Sequence, residues 1–149
     1  MRMVWRVLIA VVVLAALPRL AAAQVVMHTV TVTTDGSGDV TAYTPTTVGV
    51  VLAVRYVPDV TSPLDTGADV TITDGVTGLQ VLAVTNMGPS ARDFLPRAFT
   101  VNTLGASALY AASGTSVLDT IPVANAIQVV VAQGGSAKLG TFYIYVQGR

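Results

Sequence analysis

The chain has 149 residues, 52% of them hydrophobic, with eight Lys or Arg against eight acidic residues and no cysteine. That length suits one domain with a real core, and the missing thiols exclude disulfides and thiolate metal sites. Charge is too sparse and too mixed for a nucleic-acid surface, which needs a dense basic patch to displace the counterions of phosphates.

Residues 1–23 stand apart. Arg2 and Arg6 lead into the apolar run Val7 to Leu17, followed by Pro18 and the small stretch Ala21-Ala22-Ala23. This is the order of a secretory signal peptide, a helical leader cleaved before Gln24. The run falls short of the roughly 20 residues that span a bilayer. A start at Met27, which would make the leader an artefact of gene calling, is the other expectation for this segment. Without the leader, five basic residues face eight Asp, a net charge of −3. Lys138 is then the single lysine, so no membrane association is expected of the mature domain, residues 24–149.

From Val25 onward the dominant period is two, and almost no stretch shows helical spacing. Met27 to Thr33 alternates, with Val30 and Val32 on one face, and the turn DGSGD predicts a hairpin return over Asp39 to Tyr43. Val48 to Val57 is apolar on both faces, as a central strand is, and Pro58 ends it. Ala68 to Thr73 and Leu79 to Thr85 flank Asp74-Gly75 and Thr77-Gly78, which predicts a second hairpin.

Asn86 to Pro96 reads as a loop, Arg97 to Leu104 resumes alternation, and Gly105 to Ser116 is left open between a helical turn and a loop. Val117 to Ala124 carries Pro122 and suits an edge strand. A last hairpin is predicted from Ile127 to Gln133 and Gly140 to Val146, with Phe142, Ile144 and Val146 inward and Tyr143 and Tyr145 outward, open to solvent or a partner. Eight or nine short strands without helical crossovers predict an all-β antiparallel β-sandwich, jelly-roll or Greek-key in wiring.

LDTGADVT, from Leu64 to Thr71, resembles the active-site stretch of retroviral-type aspartic proteases. In that family the Asp shares a proton with a second carboxylate. Here Pro63 directly precedes the motif, where the family needs a buried strand, and no glycine-rich flap follows. The expectation is therefore a turn that starts a strand with Val70 and Ile72 inward. A retropepsin-like protease at Asp65-Thr66-Gly67 is a minor alternative.

Other chemistry has little to stand on. His28, the one histidine, is expected on the solvated face of its strand, and one His without Cys cannot assemble a zinc site. Calcium is the one metal this pattern admits, through Asp35, Ser37 and Asp39 in one turn and Asp65, Asp69 and Asp74 in a second region. The spacing is not that of an EF-hand, and Asp is ordinary in hairpin turns. Gly36-Ser37-Gly38 lacks the third glycine and the helix of a phosphate cradle. The only tryptophan, Trp5, lies in the leader, so the mature domain lacks the best stacking side chain.

The stretch Ile121-Pro122-Val123, the run Ile127 to Gly135, Lys138 and Gly140 to Val146 together resemble small structural proteins of tailed double-stranded-DNA phages. LDTGADVTIT, VLAVTN ending at Asn86, and Phe94-Leu95-Pro96-Arg97-Ala98 are similar to that group as well. The resemblance implies a non-enzymatic head-associated protein, a decoration, minor capsid or head-fibre component, that binds capsid or other virion proteins and forms homo-oligomers. Tyr143, Tyr145, Phe94 and Arg97 become its candidate interface residues, and no cofactor is implied. Phage head proteins assemble in the cytoplasm, so this reading fits a start at Met27. A genuine leader instead points to an exported bacterial β-sandwich that acts in adhesion or ligand binding.

Overall fold

The computed structural model describes residues 24–111 and 114–148. The helical leader expected over residues 1–23 lies outside them. The described residues contain no helix, and their eleven strands pair antiparallel throughout.

In chain order the strands are β1 (Val25–Thr33), β2 (Val40–Tyr43), β3 (Gly49–Pro58), β4 (Asp69–Asp74), β5 (Gln80–Val84), β6 (Arg92–Phe94), β7 (Ala98–Phe99), β8 (Leu118–Asp119), β9 (Ile121–Val123), β10 (Ile127–Ala132) and β11 (Leu139–Gln147). One sheet runs β1-β11-β3-β6, with β9 also paired to β3, and a second runs β2-β10-β4-β5. The pair β7-β8 forms a small separate ribbon.

Alternation sets the inward face of each strand, as period two demands. Val30, Val32, Val51, Val54, Tyr56, Phe142, Ile144 and Val146 of the first sheet join Val70, Ile72, Val81, Ile127, Val129 and Val131 of the second in one buried cluster. Val70, Ile72, Phe142, Ile144 and Val146 thus face inward as their alternation predicts. Tyr56 and Phe142 pack with ring centroids 5.1 Å apart, within the range of a favourable aromatic pair. The Tyr56 hydroxyl is buried, which raises its pKa; the Leu64 amide lies near enough to oppose that shift, but the hydroxyl makes no hydrogen bond.

Of the three expected hairpins only β4-β5 exists, in the register Val70 to Val84 with an irregularity at Ile72/Thr73. The other two are corrected. β1 pairs β11 and β2 pairs β10, so residues 34–39 and 133–138 each carry the chain from one sheet to the other. Alternation identifies a strand's inward face but not its sheet: Val129 and Ile144 line the same interior whether their strands are neighbours or lie opposite. The long connections leave both arrangements open, and backbone bonds between the two crossings favour the second. Thr34 N donates to Lys138 O at 2.9 Å and Gly134 N to Gly38 O at 2.8 Å. Gly38 has φ +89°, and a Cβ there would stand 2.9 Å from Gly135 N, so both the conformation and the contact require glycine.

Three local expectations also change. His28 shares the parity of Val30 and Val32; it is half-buried, and its Nε2 is buried without a partner rather than solvated. The loop over Asn86 to Pro96 contains β6, a three-residue strand. The alternation from Arg97 to Leu104 forms a strand only at Ala98–Phe99, because Asn102 to Gly105 is a turn. The central place expected for the Val48 to Val57 strand holds, with β11 on one side of β3 and β6 and β9 on the other. Pro122 sits in β9, which pairs with β3 alone, as an edge strand does.

Candidate interaction surface

β6 and β9 line the same edge of β3, β6 opposite Val54 to Tyr56 and β9 opposite Gly49 to Val51. Between them the Leu52 carbonyl accepts the Arg97 guanidinium at 3.3 Å, and the same nitrogen reaches Pro96 O at 2.7 Å. β6 and β9 therefore form one edge strand that the chain leaves after Phe94 and rejoins at Ile121. The excursion between them is an arm rooted at Arg97.

The arm begins as the β7-β8 ribbon, with Ala98 opposite Asp119 and Phe99 opposite Leu118. It then divides into two small hairpins, held by the bridges Val101 to Ser107 and Leu109 to Ser116 and by Ala108 N on Thr100 O at 2.9 Å and Val117 N on Ala108 O at 2.9 Å. At the first tip the Asn102 side chain accepts from Leu104 N at 2.9 Å and Ala106 N at 3.0 Å, while Gly105 takes φ +77°. Such an Asx-stabilised turn is rigid for its size. It holds Leu104 out to solvent, 89% exposed.

Arm residues contribute nothing to the buried core. Leu95, Phe99, Val101, Tyr110 and Leu118 are exposed as well, and no charged residue stands between Arg97 and Asp119. A charge-free apolar surface of this kind marks an interaction site more often than chance exposure does.

A second apolar feature lies where the start of β3 and β9 of the first sheet meet the β4-β5 turn of the second. A cleft of about 340 Å³ is lined by Val48, Leu79, Pro122 and Val123, together with Asp74 and Thr77. Asp74 is buried, and its carboxylate accepts Thr77 N at 2.9 Å, Val76 N at 3.1 Å, Ala124 N at 3.0 Å and Asn125 Nδ2 at 3.2 Å. The Thr77 amide first, then that of Ala124, hold its pKa far below the ordinary carboxylate value, while burial opposes them. Its oxygens are thus engaged by the fold, and the cleft offers a visitor chiefly hydrocarbon.

The candidate interface residues do not form one patch. Tyr143 and Tyr145 lie half-buried on the outer face of β11, beside Thr29 and Met27 of β1 and Arg55 and Ala53 of β3. Phe94 pairs with Val54 and packs against the core, whereas Arg97 anchors the arm. The arm beyond Arg97 was missed, although its uncharged run with Phe99, Leu104 and Tyr110 is visible in the sequence.

Asp65 belongs to a turn. β3 ends at Pro58, and Leu64 is fully buried next to it. Asp65 N donates to Gly134 O at 2.9 Å, Ala68 N to Asp65 O at 3.0 Å, and Lys138 Nζ lies 3.2 Å from Oδ1. The motif thus fastens the start of β4 to the β10-β11 crossing. The acidic residues of the calcium expectation are also separated: Asp69 and Asp74 cap opposite ends of β4. Asp35 Oδ1 accepts from Ser37 Oγ, Ser37 N and Asp39 N at 2.7, 2.9 and 3.0 Å; the Ser37 hydroxyl is the largest cause of its lowered pKa. Among the described residues no three His, Cys, Asp or Glu side chains gather as a metal site, and no helix is long and apolar enough to cross a membrane.

Compared with known protein families, with curated proteins and with solved structures, the chain matches none.

Proposed function

We propose that this chain is a non-enzymatic structural protein of a tailed-phage virion, a head-associated decoration or minor capsid component that works through protein interfaces. In this reading the two larger sheets stack as the layers of a β-sandwich with Greek-key-like wiring, and the block serves to present surfaces. The observation that carries it is the arm: an apolar projection without charge between Arg97 and Asp119 suits a permanent protein interface. The resemblance of Ile121 to Val146 to phage structural proteins supports the same reading.

The test is co-sedimentation with empty heads assembled from the major capsid protein of the same genome. Saturable binding at a fixed stoichiometry supports the proposal, and no binding at micromolar concentration overturns it.

A second reading, an exported bacterial ligand-binding or adhesion module, draws on Arg2, Arg6 and the apolar run of the leader together with the apolar cleft. Mass mapping of the native N-terminus separates the two. Gln24 as first residue favours export, and Met27 or His28 favours the virion.

A further inference from the structure

We infer that the arm of one copy docks into the Val48/Leu79/Pro122 cleft of a second copy of this chain, with Leu104 as the anchor. The inference deepens the virion reading by naming the partner and the two contacting surfaces.

Three observations carry it. The first is exposure. Leu95, Phe99, Val101, Leu104, Tyr110 and Leu118 are between 50% and 89% exposed, a concentration of large apolar side chains in water that marks an interaction site.

The second is complementarity. Between Arg97 and Asp119 the arm has no charge, and the cleft's one charged lining residue, Asp74, is buried with both oxygens already accepting hydrogen bonds. The cleft rim adds exposed Val48 and Leu79, with Val76 beside it on the β4-β5 turn. No desolvated unpaired charge therefore opposes the contact.

The third is preorganisation. Leu104 stands on a turn whose backbone amides are already tied to Asn102, so little conformational entropy remains to be lost on docking. At 89% exposure Leu104 does not fill the cleft of its own chain. Two different patches then meet, which makes the contact heterologous and able to close a ring or continue as an array.

The chain contains no cysteine, so introduced thiols report the contact directly. Leu104→Cys and Val48→Cys variants are purified apart, mixed and mildly oxidised. The expected product is a mixed disulfide dimer that neither variant forms alone. In sedimentation the wild type associates, and Leu104→Asp weakens that association about tenfold or more while its melting temperature stays that of the wild type. A monomeric wild type at about 100 μM, far above a micromolar affinity, overturns the inference, as does a Leu104→Cys homodimer in place of the mixed one. The two proposals fail separately. A monomer that still co-sediments with heads overturns the docking alone, and a cross-linked oligomer that ignores heads overturns the virion reading alone.

Discussion

Asp74 and Ala124 stand 50 positions apart in the chain, yet the Ala124 amide donates to Asp74 Oδ2 at 3.0 Å. The bond joins the β4-β5 hairpin to the crossing that leads from β9 to β10. Because Thr77 and Val76 donate to the other oxygen, one carboxylate fixes both the turn and its attachment.

Asp74→Ala leaves those part-buried amides without their acceptor, and a loss of roughly 1–3 kcal/mol in urea unfolding is expected. The acid dependence follows from the lowered pKa. A carboxylate depressed in the folded state contributes fully above its unfolded value, about 4, and loses that contribution as pH falls through the folded value. Wild type should therefore lose more stability than Asp74→Asn between pH 5 and pH 2. Parallel curves would show that this carboxylate is not held by the amides.

Tyr56 and Gly140 make a second pair. The Tyr56 hydroxyl is buried without a partner, so Tyr56→Phe removes an unsatisfied group and is expected to raise stability by up to about 1 kcal/mol. Gly140→Ala acts in the opposite direction, since the new methyl would stand 2.7 Å from the ring edge of Tyr56. A cost of about 1–3 kcal/mol is expected, and Tyr56→Phe does not relieve it because the ring carbon remains. Thermal melts of both single variants and the double check the signs.

The strands and their inward faces were legible because alternation is local: Val30, Val70, Ile72, Phe142 and Ile144 each announce their side in five or six residues. Sheet membership was not. Gln133 and Ala137 take positive φ within the β10-β11 crossing, and neither residue type signals that conformation. The bonds from Thr34 to Lys138 and from Gly134 to Gly38 join positions about a hundred residues apart. The arm escaped for a related reason. Its fold rests on Asn102 and on short bridges that periodicity does not register, while its uncharged run resembles ordinary core.

His28 illustrates the same limit from the other side. Its parity with Val30 and Val32 carries it inward opposite Ile144, where Nε2 has no partner. His28→Val suits the strand and removes that buried polar atom. A gain of about 0.5–1 kcal/mol is expected, read from urea midpoints at neutral pH. A loss of stability would mean that the imidazole is satisfied by water or a neighbour.

Asp65 and Gly135 separate the mechanical role of the LDTG stretch from a catalytic one. Gly135 has φ +83°, and a Cβ there would collide with the Asp65 carboxylate. Gly135→Ala therefore combines backbone strain with a clash, and a loss of about 2–4 kcal/mol is expected. Asp65→Asn removes only the half-exposed ion pair with Lys138, for which a change within about 1 kcal/mol is expected. In Asp65→Gly with Gly135→Ala the collision disappears and the strain stays, so about half of the loss returns if the two terms are comparable. Incubation of wild type and Asp65→Asn with a peptide library should give the same uncleaved profile. Cleavage by wild type that Asp65→Asn abolishes, with the melting temperature unchanged, would make Asp65 a catalytic carboxylate instead of a fastening for the start of β4.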